Sequence, residues 1–341
     1  MSQMTKMREE ILQIPEAVDR LLATGGPEIA KVATAARALN PAFLLSVARG
    51  SSDHASTFLK YASELVLRKP MASVGPSVRS IYGVNLETRG ALSISVSQSG
   101  KSPDIVQMTQ AVRDGGALTV AITNDASSPL ARASEMTLPI MAGAELSVAA
   151  TKTFVTSLVA GLWMIAEVKR DADLVSAIKA LPMQLEAATR CDWSAAVEAM
   201  DGRSLFTLGR GPSLAVSNEA ALKFKETCRI HAESYSAAEV LHGPVSLVDQ
   251  GFPVIAFCAA DAAEDSVAET ADALAQKGAQ VFALSDKAKC ATALPHIRTG
   301  HGLTDPIAAI VSFYGMVECV ATRRGIDPDE PRHLAKVTET V

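Results

Sequence analysis

The sequence of 341 residues repeats itself at a spacing of about 161 residues, which constrains its fold more than any other feature. An apolar run ends in Arg49-Gly50 in the first half, and a similar run ends in Arg210-Gly211 in the second. Three pairs of apolar segments correspond in order, namely 43–52 with 205–213, 91–97 with 252–258, and 116–123 with 278–285. Because three segments in register are hard to obtain by chance, we expect two copies of one unit.

Helical patterns lie between these apolar segments, for example at 102–114 and 264–277. Strands that alternate with helices indicate βαβ units and a parallel sheet. The predicted fold class is therefore α/β, a tandem duplicated three-layer αβα sandwich with flavodoxin-like winding. In such a fold the ligand sites lie at the carboxyl ends of the strands.

The flanking segments complete the predicted domain organisation. The most apolar stretch, Phe154–Val168, is too short to cross a bilayer and is expected to be a buried helix. A helical stretch over 170–200 is expected to break at Pro182. The predicted parts are a helical lead-in at 1–35, a first domain at 36–175, a helical linker at 176–200, a second domain at 201–325 and a tail at 326–341.

The amino-acid composition excludes several classes of function for this chain. The net charge is −5 and no cluster of Lys and Arg interrupts the chain, which argues against a nucleic-acid partner. The five cysteines have neither metal-ligand nor disulfide spacing, so they are predicted to be reduced thiols. No secretory signal and no membrane span are recognisable, and the expected compartment is the cytoplasm.

A polar loop follows the second apolar segment of the first half, with the sequence Ser97-Gln98-Ser99-Gly100-Lys101-Ser102. Helix N-termini bind phosphate through unpaired N–H groups, and short hydroxyl side chains add donors. Such a loop alone is more often a turn with an N-cap. Its place at the end of a strand, beside Gly50-Ser51-Ser52 at the end of another, favours a phosphate site. The corresponding segment of the second half, 259–261, has lost the serines.

A charged segment in the second half contains Glu219, Lys223 and Glu226, which are spaced to share one helix face. The alternative interpretation is a solvated charged helix. Further along, His231 and Glu233 precede His242, which stands directly before Gly243-Pro244. A histidine with a constrained backbone is a candidate acid or base.

These motifs, in this order, resemble the SIS phosphosugar isomerase superfamily, and most closely the isomerase domain of glucosamine-6-phosphate synthase. The resemblance covers essentially the whole chain. It rests on Ser97-Gln-Ser-Gly100, Ala142-Gly-Ala-Glu145, Thr151-Lys152, Leu208-Gly-Arg-Gly211, Ala221-Leu-Lys-Phe-Lys-Glu226, His231-Ala-Glu233, His242-Gly-Pro244 and Pro331-Arg-His-Leu-Ala-Lys336.

The resemblance implies a role for each matching residue. Glu226 corresponds to the proton-shuttling carboxylate, and His242 to a ring-opening histidine that serves the active site of a neighbouring subunit. Lys336 corresponds to a lysine that can form a Schiff base with the open ketose. Residues implied in phosphate or sugar binding are Ser51, Ser52, Ser97, Gln98, Ser99, Ser102, Glu145, Val148 and Lys223. No metal or cofactor is expected, and the expected assembly is a homodimer with shared active sites.

Departures from the family pattern bear on the substrate. Arg49 replaces a Cys, Ala150 replaces a Ser, and the segment 75–77 differs from the expected Ser-Glu-Phe. Because the sequence starts with Met1-Ser2-Gln3 and not with a nucleophilic Cys, the protein is expected to lack the glutaminase domain of the synthase. The expected reaction is therefore conversion of glucosamine 6-phosphate and water to fructose 6-phosphate and ammonia. The alternatives are a galactosamine-6-phosphate deaminase or isomerase, a fructosamine-6-phosphate deglycase, and a non-catalytic regulator that binds a sugar phosphate.

Overall fold

A computed structural model describes residues 4–336 of the chain. Three helices precede the first strand. Thr5 caps the first of them by accepting a hydrogen bond from the Arg8 N–H, and Pro27 lies in the first turn of the third. They are α1 (Lys6–Leu12), α2 (Ile14–Thr24) and α3 (Gly26–Leu39).

The first half forms a five-stranded parallel sheet in the order β2-β1-β3-β4-β5. This order is that of a flavodoxin-like sheet. Helices α3, α4 and α8 pack together, and α5, α6 and α7 form a second packed group. The elements are β1 (Phe43–Val47), α4 (Ser51–Ala62), β2 (Met71–Ser73), α5 (Ser77–Ser80), β3 (Ala91–Val96), α6 (Pro103–Asp114), β4 (Leu118–Thr123), α7 (Pro129–Ala133), β5 (Met136–Pro139) and α8 (Lys152–Lys169).

The second half repeats this sheet, with strands in the order β10-β9-β8-β6-β7. Counted from its own first strand, the order is again 2-1-3-4-5. The helical stretch that leads into it breaks before Pro182, as predicted. The elements are α9 (Ala172–Lys179), α10 (Leu181–Ala188), α11 (Ser194–Ala199), β6 (Ser204–Gly209), α12 (Pro212–Lys223), β7 (His231–Ser236), β8 (Pro253–Ala256), α13 (Glu264–Gln276), β9 (Gln280–Ala283), β10 (Thr292–Ala293) and α14 (Asp305–Arg323).

The duplication holds at the level of the backbone and confirms the predicted repeat. Gly50 and Gly211, 161 positions apart, have φ of 55° and 59° and ψ of −135° and −137°, a conformation that strongly favours glycine. The helices that follow them, α4 and α12, each continue into one π-helical turn. These turns are Ser63–Leu67 and Phe224–Cys228, and both end at a left-handed arginine, Arg68 and Arg229.

The contacts divide the chain into two compact units, each containing one sheet. The first-sheet unit comprises Glu16–Glu145, Lys152–Lys179 and the described tail residues 335 and 336. The second-sheet unit comprises the described residues up to Pro15, Leu146–Thr151 and Ala180–Leu334. The segment 1–35, predicted as one lead-in, therefore contributes to both units. The domain boundaries given above stay a prediction.

Two helices are strongly apolar because each is the core helix of its unit. Helix α8 is buried along 152–166, as predicted for this stretch. Helix α14 is the one described helix that is long and apolar enough to cross a membrane, but 83% of that stretch is buried inside the unit. Its apolar character is therefore accounted for by packing against α10, α11 and α12.

Candidate active site

The predicted phosphate loop joins β3 to α6 in the first-sheet unit. Ser97 Oγ accepts a hydrogen bond from the Gly100 N–H at 3.2 Å, and Ser99 Oγ accepts one from the Lys101 N–H at 3.3 Å. Gly100 has φ of 61°, and a Cβ there would lie 2.2 Å from Ser128 Oγ, so no larger residue fits. Both hydroxyls keep their O–H as a donor. The tight turn therefore presents two serine side chains at the end of the strand.

A second loop reaches the same edge of the sheet, because β1 is the neighbour of β3. Gly50 turns the chain and Ser51 is the first residue of α4. Ser102 occupies the N-cap of α6, but its hydroxyl makes no capping hydrogen bond to the helix. The structure thus places Ser51, Ser52, Ser97, Gln98, Ser99 and Ser102 at two neighbouring strand ends, beside two helix N-termini. This arrangement suits an anion.

Glu145 and Lys336, both predicted to be site residues, contact each other in the first-sheet unit. Lys336 Nζ lies 2.8 Å from Glu145 Oε2. The same carboxylate accepts hydrogen bonds from the Thr153 N–H at 3.1 Å and from Thr153 Oγ1 at 2.7 Å. Because the carboxylate of Glu145 is fully buried, its ion pair with Lys336 fixes the lysine of the tail in place.

Val148 lies in the second-sheet unit, in the segment Leu146–Thr151. Its N–H donates to the backbone oxygen of Asp329 at 3.3 Å. The buried carboxylate of Glu10, in α1, accepts from the N–H groups of Leu146 and Ser147. Asp329 also caps α1, since its carboxylate accepts from the Lys6 and Met7 N–H groups at 2.8 and 2.7 Å. The position of Val148 therefore depends on α1 and on the tail.

The charged residues of α12 form a buried ionic cluster, so the interpretation as a solvated helix is wrong. Lys223 Nζ lies 3.2 Å from Glu219 Oε1 and is also hydrogen-bonded to Glu226. Glu219 and Lys223 are fully buried, whereas the side chain of Glu226 is 21% exposed. Tyr314 Oη, from α14, donates to Glu219 Oε1 at 3.3 Å. Of the three charged groups, Glu226 alone reaches solvent.

The protonation of this cluster follows from its neighbours. Burial by itself lowers the pKa of Lys223, but the two carboxylates and their hydrogen bonds outweigh it and raise the pKa well above its ordinary value. Lys223 is thus a fixed cation beside Glu226 throughout the physiological range. A partly exposed carboxylate held by a buried cation is a suitable proton acceptor for a bound substrate.

The first copy of the repeat shows that the helix and its π-helical turn form without the charged cluster of the second copy. Glu219, Lys223 and Glu226 stand at the positions that Phe58, Ala62 and Leu65 occupy in the first copy, on an identical helix and π-helical turn. Phe58 and Ala62 are fully buried there. Since apolar residues fill the same positions, and since buried ion pairs contribute little net stability, the cluster is best explained by function.

His242 follows a short 3-10 helix, Glu239–Leu241, in the second-sheet unit. It is exposed, and its side chain makes no hydrogen bond or ion pair within residues 4–336. Exposed apolar side chains flank it, those of Leu241 and Leu247. Within the described part of the chain, no hydrogen bond or ion pair joins His242 to the cluster around Glu226.

The strand ends of the second sheet carry a cluster that the sequence did not reveal. The Ala260 N–H, at the position equivalent to Ser99, donates to Asp305 Oδ2 at 2.8 Å. Arg298 bridges Asp305 and Glu264, and its Nη1 donates to the Cys258 oxygen. The carboxylate of Asp305 thus accepts the hydrogen bond of a backbone N–H that could otherwise bind an anion. A hint was present in the sequence, since 259–261 lacks serine.

Comparison with known proteins agrees with this geometry. Residues 44–167 and 200–301 each match the SIS domain. The chain belongs to the SIS domain family. It is 34% identical over 349 aligned residues to the glutamine–fructose-6-phosphate aminotransferase (isomerizing) of Pyrobaculum aerophilum, an alignment that covers 97% of this chain and 56% of that protein. The chain thus spans about half the length of the curated relatives it matches.

Two solved structures show the same fold. A crystal structure from Silicibacter pomeroyi DSS-3, described as a phosphosugar isomerase, is 60% identical with a TM-score of 0.93, and the match covers 96% of this chain and 100% of that one. The glucosamine-6-phosphate deaminase of Thermotoga maritima is 20% identical with a TM-score of 0.80, covering 98% and 100%. The SIS family and the duplicated sheet, predicted from sequence, are confirmed.

Proposed function

We propose that the chain is an aminosugar-phosphate isomerase and deaminase that converts glucosamine 6-phosphate and water to fructose 6-phosphate and ammonia. Its homologues and structural neighbours are sugar-phosphate isomerases or deaminases. The observation that carries the proposal is the buried cluster of Glu219, Lys223 and Glu226, since it supplies a proton-transfer group where the first copy has apolar residues.

The proposed mechanism assigns one task to each group. The serines of the β1–α4 and β3–α6 loops bind the phosphate. His242 moves the proton that opens the sugar ring. Glu226 takes the proton from C2 and returns it to C1 through an enolamine, and the ion pair with Lys223 holds the carboxylate in position. Water then adds to the resulting ketose imine, and ammonia leaves.

We further propose that the protein acts as a homodimer in which His242 serves the partner subunit. The support is its exposure between Leu241 and Leu247, two exposed apolar residues. An exposed histidine that contacts no acid or base among residues 4–336 suits a site completed by a second copy.

The first experiment measures ammonia release from glucosamine 6-phosphate by the purified chain and by Glu226→Gln. The amide keeps the shape of the side chain but cannot take a proton, so we expect turnover to fall by about 100- to 10,000-fold with substrate affinity retained. Glu269→Gln, on the exposed side of α13, is the matched control and should match the wild type.

The same assay with galactosamine 6-phosphate and a 6-phosphorylated fructosamine tests the alternative substrates. No ammonia from glucosamine 6-phosphate at high enzyme concentration would refute the proposed reaction. Release from one of the other two would identify that compound as the substrate. Binding without turnover on any of them would instead indicate a regulator.

A further inference from the structure

The two serine-bearing loops are joined by an ion pair between Arg49 and Asp104. Arg49 Nε lies 2.7 Å from Asp104 Oδ2. Arg49 directly precedes Gly50 in the β1–α4 loop, and Asp104 lies in the first turn of α6, two residues after Ser102. The pair thus connects both helix N-termini at the edge of the first sheet.

The two partners differ sharply in exposure. The side chain of Asp104 is 1% exposed and that of Arg49 is 51% exposed. Asp104 is held further by the Ile105 N–H, which donates to its Oδ1 at 2.8 Å. A buried carboxylate is costly unless a cation compensates it, so Asp104 fixes the guanidinium in place. Among residues 4–336, Nη1 and Nη2 of Arg49 make no hydrogen bond or ion pair, although the carboxylate of Asp53 is close enough to interact electrostatically with the guanidinium.

A phosphate monoester is close to a dianion at neutral pH, whereas the serines and the Gln98 amide are neutral. Guanidinium groups bind phosphate through paired N–H donors, and such charge-assisted hydrogen bonds are about twice as strong as neutral ones. We infer that Arg49 is a phosphate-binding residue of this site and that Asp104 positions it. This inference rests on the proposed phosphate site in the first-sheet unit.

The second copy provides an internal comparison. Arg210 stands at the position equivalent to Arg49, but it is exposed, and its Nη1 donates to the hydroxyl of the half-buried Ser266 at 3.0 Å. There the Ala260 N–H is already bound to Asp305. The arginine is therefore present in both halves, but it is anchored to a buried acid only in the half with the serine loops.

The test is calorimetric titration of the full chain with inorganic phosphate and with fructose 6-phosphate. Removal of a charged hydrogen-bond donor costs about 1.5–3 kcal/mol, so Arg49→Ala should raise the Kd of both ligands by about 10- to 100-fold. Arg49→Lys keeps the charge without the paired donors and should give a smaller rise. Arg210→Ala is the matched control and should leave both Kd values unchanged.

Arg49→Ala leaves Asp104 buried and unpaired, so folding must be controlled. The double variant Arg49→Gln with Asp104→Asn removes both charges and keeps the shape of the buried side chain at position 104. It should unfold near the wild-type temperature and show the same loss of affinity as Arg49→Ala. Wild-type affinity in the folded double variant would overturn the inference, as would equal losses in Arg210→Ala.

The outcomes separate this inference from the proposed reaction. If the wild type binds fructose 6-phosphate and releases ammonia but the Arg49 variants bind phosphate normally, only the role of Arg49 is refuted. If the wild type binds inorganic phosphate through Arg49 but releases no ammonia from any aminosugar phosphate, only the reaction is refuted. A wild type that binds neither ligand would refute both.

Discussion

At the scale of the residue, the question is whether Lys336 forms a Schiff base with the substrate or holds the tail in place. A Schiff base needs an Nζ that can attack the substrate carbonyl, but Nζ of Lys336 lies 2.8 Å from the buried carboxylate of Glu145 and donates a hydrogen bond to it. Thr153 holds that carboxylate with two further hydrogen bonds. This geometry favours a role in fixing the tail over a role as a covalent nucleophile.

Substitution of Lys336 separates the two roles. Arginine keeps the ion pair but cannot form an imine, so Lys336→Arg should retain about half or more of the turnover. Lys336→Met removes the ion pair with the buried carboxylate of Glu145, so it should lose about tenfold or more. Borohydride reduction in the presence of fructose 6-phosphate, followed by mass spectrometry, should show no adduct at Lys336. An adduct there together with an inactive arginine variant would contradict this prediction.

At the scale of the element, helix α1 supports the segment that carries Val148. Glu10→Ala removes the acceptor for the Leu146 and Ser147 N–H groups, and hydrogen bonds to a charged group contribute about 1.5–3 kcal/mol. We expect KM for glucosamine 6-phosphate to rise about tenfold with a smaller change in kcat, because the segment loses its position while Glu226 is untouched.

Steady-state kinetics of Glu10→Ala and Glu9→Ala check this expectation. Glu9 directly precedes Glu10 in α1 and is exposed, so its variant should keep the wild-type KM. If Glu10→Ala lowered only the unfolding temperature and left KM within twofold, α1 would have a purely structural role.

The elements also show what a sequence can and cannot reveal. The central strands and α13 could be predicted within a few residues, because apolar runs and helical periodicity are local signals. The edge strands were missed: β2, β5 and β10 are short, and β7 has the polar sequence His231–Ser236, which is typical of a loop. The π-helical turn that carries Glu226 was not predicted, because the sequence continues from α12 with no glycine, proline or change of pattern to mark it.

The sequence predicted which residues form the candidate site, but it did not predict their burial or their partners. The spacing of Glu219 and Lys223 placed them on one helix face, but their burial depends on packing against α14, nearly a hundred residues away. Likewise the pairing of Arg49 with Asp104 joins residues 55 positions apart. Sequence motifs identify which residues carry chemistry, whereas contacts between distant segments determine their charge state and orientation.

At the scale of the whole molecule, the proposed homodimer makes a quantitative prediction. If His242 serves the partner while Glu226 serves its own subunit, two inactive variants can complement each other. Glu226→Gln and His242→Ala homodimers each lack one essential group in both sites. A mixed dimer has one site with both groups lost and one with both intact, because two-fold symmetry exchanges the contributions of the subunits.

Unfolding the two variants together and refolding them at equal amounts should therefore restore on the order of a quarter of the wild-type rate. Half of the refolded dimers are mixed, and each mixed dimer has one working site.

Sedimentation should show that the wild type is a dimer. The double variant Leu241→Glu with Leu247→Glu should dissociate this dimer, whereas Met183→Glu, at another exposed apolar residue, should not. A mixture that stays inactive would place His242 in the site of its own subunit. A monomeric wild type with full activity would exclude a shared site, and the exposed leucines would then need another partner.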